Sequence, residues 1–336
     1  MTGSTSLAVL IPVYNGKAFL QQALDSIFAQ SDVVFDLIII DDGSIDSSIE
    51  DLADFEGRSV CIYRQSNRGL AATLNRGLEL ASSNYIARQD QDDLMLPGRL
   101  AKQVEFLDKH PDYAMVGTWS QIWVGEKPSQ RGHFHPGSHE ALRLELLFDN
   151  PFVHSSVMLR ADAARRVGGY SEDKMRQPPE DYEFWSRIAR EYRIANIPEV
   201  LTVYREVEGS MSRTGENPFL NNVIRISSEN LMAVLSPEFS SEECIALASL
   251  YHGRLSPDKR KILSRGRALD MHKQAALSLG GDRALWSEEF SASFQRQHLH
   301  ITSQFIRRRL PSVLIGPARK IKQFVMARMS GLPKGL

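Results

Sequence analysis

The feature that most constrains the fold is an alternation of apolar, strand-like segments with helix-like segments in the first 90 residues. The run LAVLIPV (7–13) is continuously apolar, which is typical of a strand buried on both faces. Further strand-like segments begin near residues 35, 59 and 85, and segments with apolar residues at helical spacing lie between them. This spacing predicts βα units, and therefore a parallel sheet with right-handed crossovers.

A polar cluster follows each of these four strand-like segments. Ligands of such sheets bind beyond the carboxyl ends of the strands, so we expect the four clusters to meet at one edge. The clusters are PVYN (12–15), DDGS (41–44), QSNRG (65–69) and DQDD (90–93). The sequence therefore predicts a ligand site at that edge of the sheet.

The fourth cluster places Asp90, Asp92 and Asp93 within four positions. Like charges this close raise one another's pKa unless a cation lies among them, although a solvated turn is the simpler alternative. The two-residue period of an extended backbone puts Asp90 and Asp92 on one side. Mg²⁺ and Mn²⁺ prefer oxygen ligands and often take one or two carboxylates, with substrate phosphates completing the shell. The cluster thus predicts a site for a nucleotide diphosphate and its metal ion.

The second cluster offers a different kind of contact. Asp42 can accept a hydrogen bond from the imide N–H of a pyrimidine or from a ribose hydroxyl, and Gly43 permits a tight turn. The alternative is that Asp42 only caps a following helix. Such a helix is predicted over SIDSSIEDLADF (44–55), with Ser44 or Asp46 as its N-cap.

Composition indicates an ordinary globular protein and excludes several classes. Of the 336 residues, 42% are hydrophobic and 24% charged, and a net charge of -1 argues against a general nucleic-acid binder. No apolar stretch approaches the length of a spanning helix, and Pro12 interrupts the first one, so no signal peptide is expected. Cys61 and Cys244 have no CxxC spacing, and we interpret them as small buried hydrophobes in a reducing cytoplasm.

The remainder of the chain continues the α/β pattern and then becomes helical. YAMVGTWSQIWV (113–124) and HSSVMLR (154–160) predict strands, and PEDYEFWSRIARE (179–191) predicts a helix that begins after Pro179. From about residue 217 the pattern is helical, and a Ser-Pro pair starts each of two segments, 236–253 and 256–281.

The last region, residues 301–336, is basic. It contains eight Lys or Arg residues and no Asp or Glu, and apolar residues alternate with them. This mixture suits a helix lying in an anionic membrane interface, at the inner face of the plasma membrane. The alternative is a basic helix packed on the acidic remainder of the protein.

Five segments, in this order and spacing, resemble glycosyltransferase family 2, the inverting enzymes of the GT-A fold: LIPVYNG, IIIDDGSIDSS, SNRGLAATLNRGL, YIARQDQDD and PEDYEFW. The resemblance implies an α/β nucleotide-diphospho-sugar transferase fold, with a mostly parallel sheet flanked by helices. It also implies transfer of a sugar from a nucleotide-diphosphate donor, expected to be a UDP-sugar, to a hydroxyl of a glycan or lipid-linked acceptor in cell-surface polysaccharide biosynthesis. The expected regions are a GT-A catalytic domain, a helical region and the basic tail, at 1–215, 216–300 and 301–336.

The resemblance assigns roles residue by residue. Asp42 would read the nucleobase, Asp92 would bind Mn²⁺ or Mg²⁺ directly, and Asp90 would bind metal and lie nearer the ribose. Asp181 matches the catalytic base, which takes the proton of the acceptor hydroxyl, and Glu180 would orient that base or bind the acceptor. The other expected nucleotide contacts are Pro12, Tyr14, Asn15, Asn67 and Arg68. Candidates for acceptor contacts are Asp93 and Trp185, although Trp185 could equally belong to the core.

One departure from the family pattern concerns the segment after the last core strand. The family often reads YRxHxxSxS, and here YREVEGSMS has Val207 in place of the histidine that can help to hold metal or diphosphate. Because Val cannot ligate a metal, water or another residue fills that position, or metal dependence is weaker. Candidate replacements are His133, His135, His139 and His154; the pattern's Tyr204, Arg205, Ser210 and Ser212 remain.

Two other classes of protein remain as alternatives. A sugar nucleotidyltransferase would need a Gly-rich loop after the first strand, which PVYNGKAFL (12–20) does not supply. A non-catalytic relative that binds sugar nucleotides or scaffolds a synthesis complex is suggested by Val207. The presence of Asp90, Asp92 and Asp181 together argues against that alternative.

Overall fold

The structure is a computed structural model that describes residues 6–50, 59–207, 219–254 and 263–307. It divides into two compact units, residues 1–226 and 227–336. The predicted boundaries after residues 215 and 300 stay predictions, although the last helix continues to Arg307. Ser210, Ser212 and most of the basic tail lie outside the described residues.

The first unit contains a sheet of nine described strands. Its order is β3-β2-β1-β4-β8-β6-β9-β5, and β7 pairs with β6. The strands are β1 Leu7–Val13, β2 Asp36–Asp41, β3 Val60–Arg64, β4 Tyr85–Arg88, β5 Leu94–Met95, β6 Tyr113–Val124, β7 Lys127–His133, β8 Met158–Arg160 and β9 Arg193–Glu206.

The parallel arrangement predicted for the first four strands is confirmed, and the sheet as a whole is mixed. β1 pairs in parallel with β2 and β4, and β2 pairs in parallel with β3. The short strand β8 lies between β4 and β6 and is antiparallel to both. β5 is antiparallel to β9, and β7 is antiparallel to β6, so each of these antiparallel pairs includes a strand beyond the first four.

Helices cover both faces of this sheet. They are α1 Leu20–Phe28, α2 Leu70–Leu80, α3 Arg99–Lys109, α4 His139–Glu145, α5 Ala161–Arg166, α6 Glu180–Glu191 and α7 Leu220–Met232, the last of which crosses into the second unit. Successive residues of β1 alternate between two apolar clusters: Leu10 packs with residues of α2 and α6, whereas Val9 packs with residues of α1 and α3. The continuous apolar run of β1 is explained by this burial on both faces.

Three local predictions need correction. Residues 45–50 form bends and a turn where a helix is predicted, and the rest of that prediction, 51–55, lies outside the described residues. His154–Ser156 is a short 3-10 helix, so the strand there is limited to β8. Cys61 is exposed because β3 is an edge strand with a neighbour on one side, whereas Cys244 is buried as predicted.

The second unit is helical in its described residues. Its helices include α8 Ser241–Tyr251, α9 Arg265–Gly280 and α10 Glu288–Arg307. α8 begins with a capping box in which Ser240 and Glu243 satisfy each other's backbone N–H groups. The helix therefore starts four residues after the Ser-Pro pair at 236–237 that was expected to begin it. Among the described residues, no helix has the length and apolar character needed to cross a membrane.

Candidate active site

A cavity of about 710 Å³ lies beyond the carboxyl ends of β1, β2 and β4. Its wall includes residues from all four polar clusters and from the start of α6, so the expected convergence at one edge is confirmed. Eight of the predicted site residues line it: Pro12, Tyr14, Asp42, Asn67, Asp90, Asp92, Glu180 and Asp181. Four others do not: Asn15, Arg68, Asp93 and Trp185.

Asp42 is held by the turn that precedes α2. Its Oδ1 accepts from the backbone N–H of Arg68 at 2.8 Å, and its Oδ2 accepts from that of Gly69 at 2.9 Å. The side-chain amide of Gln65 also donates to Oδ1 at 2.8 Å. Arg68 thus contributes its backbone to the site by fixing Asp42. Asp42 joins the ends of β2 and β3 rather than capping a helix after its own strand.

Gln91 connects the first loop to the acidic cluster. Its side-chain amide accepts from the backbone N–H of Tyr14 at 2.9 Å and donates to the Tyr14 carbonyl at 3.0 Å. Asn15 serves the neighbouring loop, since its backbone donates to Ser44 Oγ and its Oδ1 accepts from the Ile45 N–H, both at 3.0 Å. Asn15 therefore joins the loops that follow β1 and β2 without lining the cavity. Gln91 was not predicted as a site residue, because it is an ordinary polar residue between Asp90 and Asp92.

Asp90, Asp92 and Asp93 form a cluster of potential metal ligands. One oxygen from each lies within 4.8 Å of the others. Burial and the charge of Asp90 raise the pKa of Asp92 to about 6, and burial with the charges of Asp90 and Asp92 raises the pKa of Asp93 well above its ordinary value. Three crowded oxygen donors of one charge fit a hard divalent cation such as Mg²⁺ or Mn²⁺.

Asp90 and Asp93 also have protein partners. Ser155 Oγ donates to Asp90 Oδ2 at 2.8 Å, and the guanidinium of Arg88 forms an ion pair with the same carboxylate. Burial alone would raise the pKa of Asp90, yet the charge of Arg88 and the hydrogen bonds from Arg88 and Ser155 bring it below its ordinary value. Asp93 is buried beneath the cavity, where its Oδ1 accepts from the Arg205 N–H at 2.8 Å. Asp92 is the member of the cluster most available to a cation.

Arg88 is a buried cation that sequence analysis missed. Its side chain is only 2% exposed, and its Nε and Nη2 atoms have no hydrogen-bond partner among the described residues. Burial opposes its charge, but the neighbouring Asp90 more than compensates, so the pKa of Arg88 is raised. The guanidinium therefore stays positive at the floor of the cavity.

Asp181 lies on the first turn of α6, where the helix dipole favours a negative charge. Its Oδ1 accepts from the Tyr182 N–H at 2.8 Å, and its Oδ2 accepts from the Asn150 side-chain amide at 2.7 Å. Burial raises the pKa of Asp181 to about 6, although both hydrogen bonds oppose the shift. A carboxylate with this pKa is mostly ionised at neutral pH and can still accept a proton.

Glu180 lies beside Asp181 and is 6% exposed. Burial and the charge of Asp181 raise the pKa of Glu180 to about 7. His154 lies 4.0 Å away through its Nδ1 atom, and its Nε2 atom lies 2.9 Å from the Tyr170 hydroxyl. Burial keeps the pKa of His154 well below its ordinary value, so this imidazole is neutral.

The predicted acceptor contacts of Trp185 and Asp93 need correction. Trp185 is completely buried and packs against Phe184, with ring centroids 5.1 Å apart. It has no free face on which a sugar could stack, so it belongs to the core. Asp93 is 1% exposed and supports the chain around Arg205 from below the cavity.

Val207 lines the cavity, and so do three of the four histidine candidates, His133, His135 and His154. The rings of His133 and His135 stack with centroids 5.7 Å apart, and His133 contacts Tyr204 edge to face. His139 lies elsewhere, and its Nδ1 accepts from the Ile194 N–H at 3.2 Å. The stacked pair and His154 therefore share the cavity with Val207, whereas His139 does not line it.

Comparison with known sequences gives the family. The family described as Glycosyl transferase family 2 matches residues 8–168. EpsE of Bacillus subtilis (strain 168) is 33% identical over 231 residues, which cover 67% of this chain and 82% of EpsE. The amylovoran biosynthesis glycosyltransferase AmsE of Erwinia amylovora is 31% identical over 204 residues, which cover 59% of this chain and 75% of AmsE.

Solved structures agree with the fold. S. aureus TarS 1-349 in complex with UDP-GlcNAc aligns with a TM-score of 0.58 at 15% identity, over 90% of this chain and 89% of that one. The mannosyltransferase PcManGT from Pyrobaculum calidifontis, in complex with GDP-Man and Mn²⁺, aligns with a TM-score of 0.52 at 16% identity, over 91% and 87%. This chain therefore has the GT-A fold followed by C-terminal helices.

The fold, the cavity and the comparisons together define the class. The chain belongs to glycosyltransferase family 2, and it is a glycosyltransferase.

Proposed function

We propose that this protein transfers a sugar from a nucleotide-diphosphate donor to a hydroxyl of a glycan or lipid-linked acceptor, with inversion at the anomeric carbon. The observation that carries the proposal is one cavity that contains both an acidic cluster, at Asp90 and Asp92, and a separate carboxyl pair, at Glu180 and Asp181. The cluster suits a metal-bound diphosphate, and the pair suits an acceptor hydroxyl that must lose a proton.

On the donor side, Asp92 would hold a divalent cation directly, with Asp90 beside it and nearer the ribose. When bound, the cation would neutralise the charge that develops on the departing diphosphate. The nucleobase would lie against Asp42 and Asn67 at the ends of β2 and β3. Tyr14, held by Gln91, would close the nucleotide side of the cavity.

On the acceptor side, Asp181 would act as general base. It would take the proton of the acceptor hydroxyl while that oxygen bonds to the anomeric carbon and the bond to the diphosphate oxygen breaks. A single displacement of this kind inverts the carbon and releases the nucleoside diphosphate. Glu180, which is about half protonated at neutral pH, would donate a hydrogen bond that orients the acceptor.

The biological setting is also a proposal. AmsE is named for amylovoran biosynthesis, which supports a role in polysaccharide biosynthesis for this chain. The two solved relatives hold UDP-GlcNAc and GDP-Man, which supports a nucleotide sugar without choosing the base; our expectation remains a UDP-sugar. A cytoplasmic location, with residues 301–336 at the membrane, remains a proposal from charge pattern alone.

The test is a thermal-shift panel of UDP, GDP, dTDP and CDP, each with and without Mn²⁺, followed by donor hydrolysis. A ligand that binds only the native state raises the melting temperature by mass action. We expect one nucleotide to stabilise the protein in a Mn²⁺-dependent manner, and slow release of that nucleoside diphosphate from its sugar donor. Stabilisation without any hydrolysis or transfer would instead favour a non-catalytic binding protein.

A further inference from the structure

Asn150 occupies a position that no motif in the sequence marks. It lies in the loop between α4 and β8 and lines the cavity together with Asp181. Its side-chain Nδ2 donates to Asp181 Oδ2 at 2.7 Å, a short distance for a bond between an amide and a carboxylate. The two residues are 31 positions apart, so the contact exists only because the fold brings the loop to the start of α6.

The orientation of the Asn150 amide is fixed by a second bond. Its Oδ1 accepts from the backbone N–H of Phe152 at 3.1 Å. If the amide were flipped, Nδ2 would face that N–H and Oδ1 would face the carboxylate, so both contacts would become repulsive. The loop therefore presents a donor, and only a donor, to Asp181.

The loop itself is anchored to the sheet. Asn196 on β9 donates to the Pro151 carbonyl at 3.2 Å, and Phe152 is buried in the core cluster beneath α6. The Phe152 ring packs directly over Gly117, where an added Cβ would come within 2.8 Å of it. The two residues that follow Asn150 are therefore anchored by contacts that do not involve Asp181.

We propose that Asn150 is a positioning residue for the base: it fixes the rotation of the Asp181 carboxylate and stabilises its ionised form. This inference rests on the proposed role of Asp181. The Tyr182 N–H holds Oδ1 and Asn150 holds Oδ2, so the carboxylate plane cannot turn without breaking one of the two bonds. Each carboxylate oxygen retains a second lone pair, and one of these lone pairs can take the proton of the acceptor hydroxyl.

The experiment compares three substitutions at one position in the full-length protein. Asn150→Leu keeps the volume and removes the donor, Asn150→Ala removes both, and Asn150→Asp keeps the acceptor for the Phe152 N–H but replaces the donor by a second carboxyl. The control is Asn84→Ala, since Asn84 is exposed and its Oδ1 accepts from Ser6 Oγ, away from the cavity. Transfer is measured across pH at saturating donor and Mn²⁺, with nucleotide binding and thermal unfolding for every variant.

The expected result is that the acidic limb of the pH profile of kcat moves to higher pH. A hydrogen bond to a charged group contributes roughly 1.5–3 kcal/mol, so its loss should move the limb upward by about one to two pH units. Leu and Ala should shift it alike, because the donor and not the volume matters. Asp should shift it at least as far, because two adjacent carboxyls share a proton. Nucleotide binding should stay within about twofold, and Asn84→Ala should match the wild type.

Two results would overturn the inference. One is an acidic limb that stays in place in Asn150→Leu and Asn150→Ala. The other is a wild-type profile in Asn150→Asp, which would mean that Asn150 acts only through Phe152. Asp181→Asn separates this question from the proposed function. If Asp181→Asn remains active, Asp181 is not the base and the proposed mechanism is wrong. If Asp181→Asn is inactive but the pH profile of Asn150→Leu is unshifted, only the proposed role of Asn150 is wrong.

Discussion

Replacement of Asp181 by Asn should affect both catalysis and stability, for separate reasons. The amide keeps the shape of the carboxyl group but cannot take a proton, so transfer should fall by roughly 10²–10⁴, the range of a lost general base. Nucleotide binding should change little, because the acidic cluster that would hold the diphosphate is a separate group on the cavity wall.

The cost in stability follows from the hydrogen bonds of Asp181. Its two oxygens accept from two donors, the Tyr182 N–H and the Asn150 amide. An asparagine at position 181 has one oxygen and one NH₂, so either orientation sets a donor against a donor. A flip of Asn150 only moves the conflict to the Phe152 N–H. One unsatisfied buried donor costs about 1–3 kcal/mol, which alone corresponds to a fall in melting temperature of roughly 2–12 °C. Removal of a buried carboxylate whose pKa is raised to about 6 offsets part of this cost at neutral pH, so the observed fall should be smaller.

A double variant tests this account. In Asp181→Asn with Asn150→Asp, the amide at 181 donates to the carboxylate at 150, while the oxygen at 181 can still accept from the Tyr182 N–H. The double variant should therefore recover most of the melting temperature that the single variant loses. Calorimetry and a transfer assay on the same preparations would measure both effects. Near-normal turnover in Asp181→Asn would place the base elsewhere, with Glu180 first. A double variant that is no more stable than Asp181→Asn would refute the hydrogen-bond argument.

Three further outcomes follow from the structure. Asp92→Ala should abolish the Mn²⁺-dependent part of nucleotide binding, as measured by thermal shift with and without the metal. Gly77→Ala should destabilise the protein by about 1–3 kcal/mol in urea unfolding, because the added Cβ would overlap the Leu10 side chain on β1. Burial lowers the pKa of His272 from 6.5 to about 4. The stability that the neutral imidazole contributes to the folded protein is therefore fully present above pH 6.5 and is lost as the pH falls toward 4. His272→Gln should flatten the decline of melting temperature over that pH range.

The first half of the fold could be predicted because its evidence is local. Each strand of the parallel part is a short apolar run, and the ligand edge follows from strand direction alone. β8 shows where this reasoning ends. Its three residues pair with β4 on one side and β6 on the other, both antiparallel, and nothing within Met158–Arg160 specifies those partners. The position of β8 is set instead by β4 and β6, which lie on either side of it in the sheet.

The acidic residues of the site could also be predicted, but their supports could not. Asp90, Asp92 and Asp181 occur in recognisable patterns, whereas Asn150 and Gln91 are ordinary polar residues in the sequence. Asn150 meets Asp181 across 31 positions, and Gln91 meets Tyr14 across 77. Trp185 illustrates the opposite error, since an aromatic residue one helical turn from Asp181 suggests a sugar contact until the packing of α6 is known.

Arg88 explains how so many carboxyl groups can share one cavity. Burial raises the pKa of Asp92, Glu180 and Asp181, and the charges of other carboxylates, among them Asp90 in all three cases, raise it further. The charge of Arg88 opposes the shift in all three, although its ion pair is with Asp90. One buried guanidinium at the end of β4 thus favours the ionised forms on the metal side and on the base side together. The charge states of the two halves of the site are therefore coupled through a residue that belongs to neither motif.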